Sequence, residues 1–167
     1  MTVDQLTLKE NELYSIVMDL SHKGQSKETD EQLEVVYDLY KKVHKYYADM
    51  ADKDDEALKR GLFIQWYAIT EPGYLTGINS LDELAETKII KVLNDKILSN
   101  TLDAELNWML NYYVDWAYAF DRFKGYQGLD NAIKNCKEDG LPKAIDKISM
   151  HTRGQMGMYW SSLNCFD

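Results

Sequence analysis

Leu58-Lys-Arg-Gly-Leu62-Phe63-Ile64-Gln65-Trp66-Tyr67-Ala-Ile69 is the stretch on which the fold turns. Leu58, Leu62, Trp66 and Ile69 recur at the three-to-four-residue spacing of one helix face. Phe63, Ile64 and Tyr67 cover much of the remaining circumference. A helix apolar on most sides has to be buried on most sides, so this helix is expected at the centre of the fold. Glu71-Pro72-Gly73 stops it. Pro72 pushes Glu71 out of the α region, and Gly73 permits a turn.

Helical spacing continues in both directions. Before the central stretch, Leu33, Val36, Tyr37, Tyr40, Val43 and Tyr47 form the stripe of a helix expected to start near Asp30. Leu13, Ile16, Val17 and Leu20 form that of a first helix, with Thr7 and Glu10 at capping-box spacing and Gly24 at its end. Asp54 is placed to cap the central helix. After the exit, Ser80 and Glu83 have capping-box spacing ahead of Leu81, Leu84, Ala85, Ile89, Val92, Leu93 and Ile97, and Asn100 suits a C-cap. Thr101 or Asp103 should open one long aromatic helix that runs to Gly125, carrying Leu106, Met109, Leu110, Tyr113, Ala117 and Phe120. Asp130 opens a shorter helix that stops by Gly140, and Pro142 suits the first position of another. From Met150 onward Gly154 and Gly157 weaken the helical pattern, leaving the tail open.

Strict alternation of apolar and polar residues is scarce, connections are short and no repeat is evident. The expected fold is therefore all-α: a single compact bundle of about five to eight mostly antiparallel helices, with residues 1–167 as one domain. With 167 residues, 45% of them apolar and 28% charged, the chain can bury a core without staples.

The formal charge of −9 argues against nucleic acid and anionic membranes as partners. Only Arg60, Arg122 and Arg153 supply the forked guanidinium that phosphate recognition favours. No stretch is long and apolar enough to span a bilayer. Cys136 and Cys165 have neither metal nor paired spacing, and the N-terminal residues lack a secretory pattern, so a cytoplasmic protein is expected.

Chemistry-bearing motifs are absent. His22, His44 and His151 are scattered, and no Glu-x-x-His pair occurs, so no metal and no cofactor is expected. Neither a nucleophile elbow nor a phosphate-binding glycine loop is present. Asp115 and Asp121 stand out because Trp116, Tyr118, Phe120 and Phe123 surround them, and Glu71 because it follows Trp66 and Tyr67. An acid among rings tends toward a raised pKa, although acids of this kind more often face water or pair with a cation.

Two regions could meet a ligand or a partner. Trp66, Tyr67 and Glu71, together with Tyr112, Asp115 and Trp116, would line a site between helices. The tail contributes Arg153, Tyr159 and Trp160, of types enriched at interface cores. We expect a module that binds another, basic protein, in its sharpest form an inhibitory, immunity-like partner of a cationic toxin or nuclease. The alternative is an enzyme or small-ligand binder using the same rings with Glu71 or Asp115 in a deep pocket. A homodimer through the tail is compatible with either.

Overall fold

A computed structural model of the chain describes residues 1–135 and 147–163. Cys136, Cys165 and the helix expected from Pro142 lie outside those residues. The described elements are α1 (Val3–Lys23), α2 (Lys27–Met50), α3 (Asp55–Thr70), the short α4 (Gly73–Thr76), α5 (Glu83–Leu98) and α6 (Ala104–Tyr113). A 3₁₀ segment (Val114–Phe123), α7 (Gln127–Lys134), α8 (Lys147–Met150) and α9 (Gly154–Leu163) follow. The protein is all-helical, a compact bundle, and no helix among the described residues is long and apolar enough to cross a membrane.

Side-chain caps fix most helix starts, several of them not where spacing alone put them. α1 begins at a Thr2–Gln5 capping box, while Thr7 and Glu10 lie inside the helix and are buried. α2 starts at a Ser26–Thr29 box ahead of Asp30, because the Ser26 hydroxyl accepts from the Thr29 N–H and Thr29 returns a contact to the Ser26 N–H. For α5 the cap is Asp82, which accepts from the Ala85 N–H, rather than Ser80. Asp54 and Asp103 cap α3 and α6 as their sequence positions suggest. In each case an acceptor satisfies backbone donors that have no partner within the helix.

α3 sits at the centre. All ten residues from Ala57 to Trp66 are buried, and the helix packs against α2, α5, the 3₁₀ segment and α9. α1 packs on α2, α4 and α9. Gly77 closes α4 in the left-handed region with φ 73°, and a Cβ there would fall 2.7 Å from Val17 and 2.9 Å from Val36. Only glycine therefore lets this turn sit on α1 and α2. Of the expected stripe residues, Ile16, Ile69, Leu84 and Ala117 are exposed instead, Leu84 by 83%.

The expected long aromatic helix is broken. α6 ends at Tyr113 and the chain continues as a 3₁₀ segment, with Trp116 at φ −104° and ψ 57° outside helical geometry. Three-residue turns put Phe120 and Phe123 on the same face, and both are buried with Val114 and Ala119.

Candidate functional site

The aromatic residues singled out by sequence come together around Trp66 on α3. The Trp66 ring stacks on Tyr113 at 4.8 Å and on Tyr67 at 6.0 Å, and meets Tyr112, Trp116 and Tyr159 edge-on at 6.0, 5.5 and 5.4 Å. Trp160 meets Tyr112 at 4.9 Å and Trp108 at 4.6 Å. These separations are those of mutually attractive rings, each pair contributing about 0.5–1.5 kcal/mol beyond its burial. Three distant stretches of chain thus share one aromatic cluster.

The cluster has an inside and an outside. Trp66, Tyr113 and Trp160 are fully buried, and neither indole N–H nor the Tyr113 hydroxyl finds a hydrogen-bond partner among the described residues. Tyr67, Tyr112, Trp116 and Tyr159 are half-buried and form the outer layer. The hydroxyls of Tyr112 and Tyr159 share a hydrogen bond of 2.7 Å. Burial raises the pKa of both phenols and pushes Tyr67 up to about 12, so all three keep their protons.

Two carboxylates flank this outer layer. Glu71 ends α3 one turn beyond Tyr67, its N–H donating to the Tyr67 carbonyl at 3.0 Å. Its charge acts on Tyr67, Tyr112 and Tyr159. Asp115 is exposed at the start of the 3₁₀ segment and its charge acts on Tyr112. Among the described residues neither carboxylate is held in an ion pair. The two cations at the end of the 3₁₀ segment are engaged with other acids, Arg122 with Glu86 and Lys124 with Asp121 at 2.9 Å.

Arg153 is not part of this face. The residue is 8% exposed and its guanidinium is held by Glu56 and Glu105, with Nε–Oε1 and Nη2–Oε2 contacts to Glu56 of 2.8 and 2.6 Å. Glu105 also takes Lys59 at 2.6 Å, and Glu56 takes Arg60 at 2.7 Å. Burial opposes the charge on Glu105, but hydrogen bonds from Arg153 and Lys59 outweigh it and hold its carboxyl at about 2. Glu56 is likewise held below its ordinary range by Arg153 and Arg60 against burial.

This ion network runs on into a buried polar seam that spacing did not single out. Arg60 reaches the Tyr47 hydroxyl at 3.4 Å, and that hydroxyl donates to Glu10 Oε1 at 2.6 Å. The Gln155 N–H donates to Glu10 Oε2 at 3.3 Å, while its side-chain amide donates to the Tyr40 hydroxyl and, at 2.6 Å, to the Thr76 carbonyl. Burial pushes Glu10 up to about 7, despite the Tyr47 hydrogen bond and the Arg60 charge. The sequence did carry a signal for it: Leu6, Glu10, Leu13 and Val17 lie on one helix face, so an acid occupies a core position.

His44, one of the three scattered histidines, is buried. Burial lowers its pKa to about 4, against the opposing contacts of Gln65 and Gly61, so the ring is neutral. No group of three or more His, Cys, Asp or Glu there could hold a metal ion. No protein-family model, curated protein or solved structure matches the chain.

Proposed function

We propose that the protein is an acidic binding module whose aromatic face, Tyr67, Tyr112, Trp116 and Tyr159, holds a basic partner protein. The observation that carries this reading is the pairing of half-buried rings from α3, α6, the 3₁₀ segment and α9 with two carboxylates that no cation among the described residues pairs with. Tyr and Trp are the residues that most often dominate interface energetics, because they bury a large area while freezing few torsions. The backing of Trp66, Tyr113 and Trp160 fixes those rings before any partner arrives, which reduces the ordering cost of binding. The chain's charge of −9 speeds encounter with a basic surface. In its sharpest form the module is the inhibitory partner of a cationic toxin or nuclease.

An enzyme built on the same rings calls for a carboxylate of shifted pKa facing them inside a pocket. The strongly raised carboxylate is Glu10, and it lies at 1% exposure against Tyr47 and Gln155 rather than among these rings.

The test is capture of partners from lysate of the source organism at low and moderate salt. Wild-type protein is compared with a Trp116→Ser/Tyr159→Ser variant whose fold is verified by circular dichroism. A stoichiometric basic protein that weakens with salt and is lost with the variant is the expected result. A partner retained equally by both proteins would move the binding surface elsewhere, and no partner at either salt would overturn the binding reading.

A further inference from the structure

We propose that the outer aromatic layer is a seat for a single cationic side chain, the guanidinium or ammonium group of a partner's arginine or lysine, with Glu71 and Asp115 as its counter-charges. This rests on the binding reading above and specifies what occupies the centre of that interface.

Tyr159 stands at 64° to Tyr67 and at 68° to Tyr112, with centroids 5.5 and 6.2 Å apart. Trp116 is tilted 43° from Tyr112 at 5.1 Å and 75° from Trp66 at 5.5 Å. These rings pack on one another, yet each stays half-exposed over the buried Trp66, so part of the aromatic surface is open to a partner. An aromatic face carries negative potential at its centre, so ring surface of this kind attracts a cation, and Trp and Tyr do so best.

The charges complete it. A purely apolar occupant would leave Glu71 and Asp115 partly desolvated and unpaired at its edge, a costly arrangement. A carboxylate-bearing occupant would be repelled by both. A cation satisfies the rings and the acids together. The Tyr112–Tyr159 hydrogen bond links α6 to α9 and holds two of these rings at fixed separation.

The experiment titrates octa-arginine peptide into the full chain carrying ¹⁵N-labelled tryptophan, with indole signals assigned by single substitutions. The Trp116 indole is expected to shift strongly and the buried Trp66 and Trp160 indoles weakly. Glu71→Gln/Asp115→Asn, and separately Trp116→Leu, should each weaken the peptide about tenfold. Glu28→Gln/Glu31→Gln, which removes two acids from the start of α2, should change affinity less than twofold. Tetramethylammonium chloride should displace the peptide better than sodium chloride at equal ionic strength.

Equal weakening by both acid pairs, or equal displacement by the two salts, would overturn the cation seat while leaving a generally acidic binding surface. Failure of octa-arginine to bind wild-type protein would overturn the seat as well. If lysate capture still returned a partner that depends on Trp116 and Tyr159, the binding module itself would stand. The acid substitutions lie at the rim and leave the core intact, so they read the proposal even if Trp116→Leu disturbs packing.

Discussion

Gly154 presses its backbone against the carboxylate of Glu10: a Cβ at residue 154 would lie 2.6 Å from Oε1 and 2.7 Å from Oε2. Its φ of 59° also lies in the region that side chains avoid. Gly154→Ala should therefore cost about 2–4 kcal/mol in denaturant unfolding, combining about 1 kcal/mol of backbone strain with overpacking. Trimming the opposing side chain should relieve the second part. In a double-mutant cycle Glu10→Ala and Gly154→Ala should couple by at least about 1 kcal/mol. Strict additivity would mean that the helix end moves aside instead.

Two buried titratable groups should give opposite pH signatures. Folded Glu10, at about 7, keeps a proton that the unfolded chain releases near 4.5, so stability falls as pH rises between those values. Folded His44, at about 4, stays neutral where the unfolded chain is protonated below about 6.5, so stability falls as pH drops through that range. Each shift corresponds to about 3 kcal/mol, and the two nearly cancel between pH 4.5 and 6.5. Charges on Arg60 and Glu56 act on Glu10, and those on Asp82 and Arg122 act on His44. Glu10→Gln should unmask the histidine slope, lowering stability as pH falls from 6.5. His44→Leu should unmask the glutamate slope, raising stability as pH falls from 7. Urea midpoints measured across pH 4.5–7.5 decide this, and matching profiles for both variants would contradict it.

Arg153 neutralises Glu56 and Glu105, which are themselves about one-third exposed. Arg153→Ala should cost about 2–4 kcal/mol, toward the lower end for a broken buried ion pair because water reaches both acids. The loss should shrink when Glu56→Gln or Glu105→Gln is added. Thermal unfolding of the single and double variants checks the sign.

α5 ends in a Schellman motif. Thr101 N–H donates to the Lys96 carbonyl at 2.9 Å, Asn100 N–H to that of Ile97 at 3.1 Å, and Asn100 has φ 54°. Asn100→Gly should be neutral or stabilising by a few tenths of a kcal/mol, whereas Asn100→Ala should lose about 1 kcal/mol. Denaturant midpoints of the two variants measure the difference.

How much of this was legible depended on whether the signal was local. The all-round apolar pattern of residues 58–69 located the central helix, because burial on every side leaves no polar stripe. Trp66, Tyr67, Glu71, Tyr112, Asp115, Trp116, Tyr159 and Trp160 were picked out by residue type, and the fold brings them to one cluster. Arg153 was picked out with them but points into the ion network, since its partners lie 97 and 48 residues away and spacing carries no such information. The Trp116 break was hidden for a related reason: helical periodicity runs on through the sequence past Trp116, and no proline or glycine marks the change. Helix starts shifted by a few residues where two capping candidates competed, as at Thr2 against Thr7.

The seam that joins Glu10, Glu56 and Glu105 to Arg153 and Gln155 also has a consequence in time. A ribosome releases α1 and α3 well before residues 153–155, so during synthesis these acids emerge without the groups that complete their pairing. The early helices can collapse on their apolar faces but cannot seal. Until α9 docks, the nascent chain leaves apolar surface uncovered. Slow translation between α7 and α9 should therefore lengthen that vulnerable interval and increase aggregation of the newly made protein.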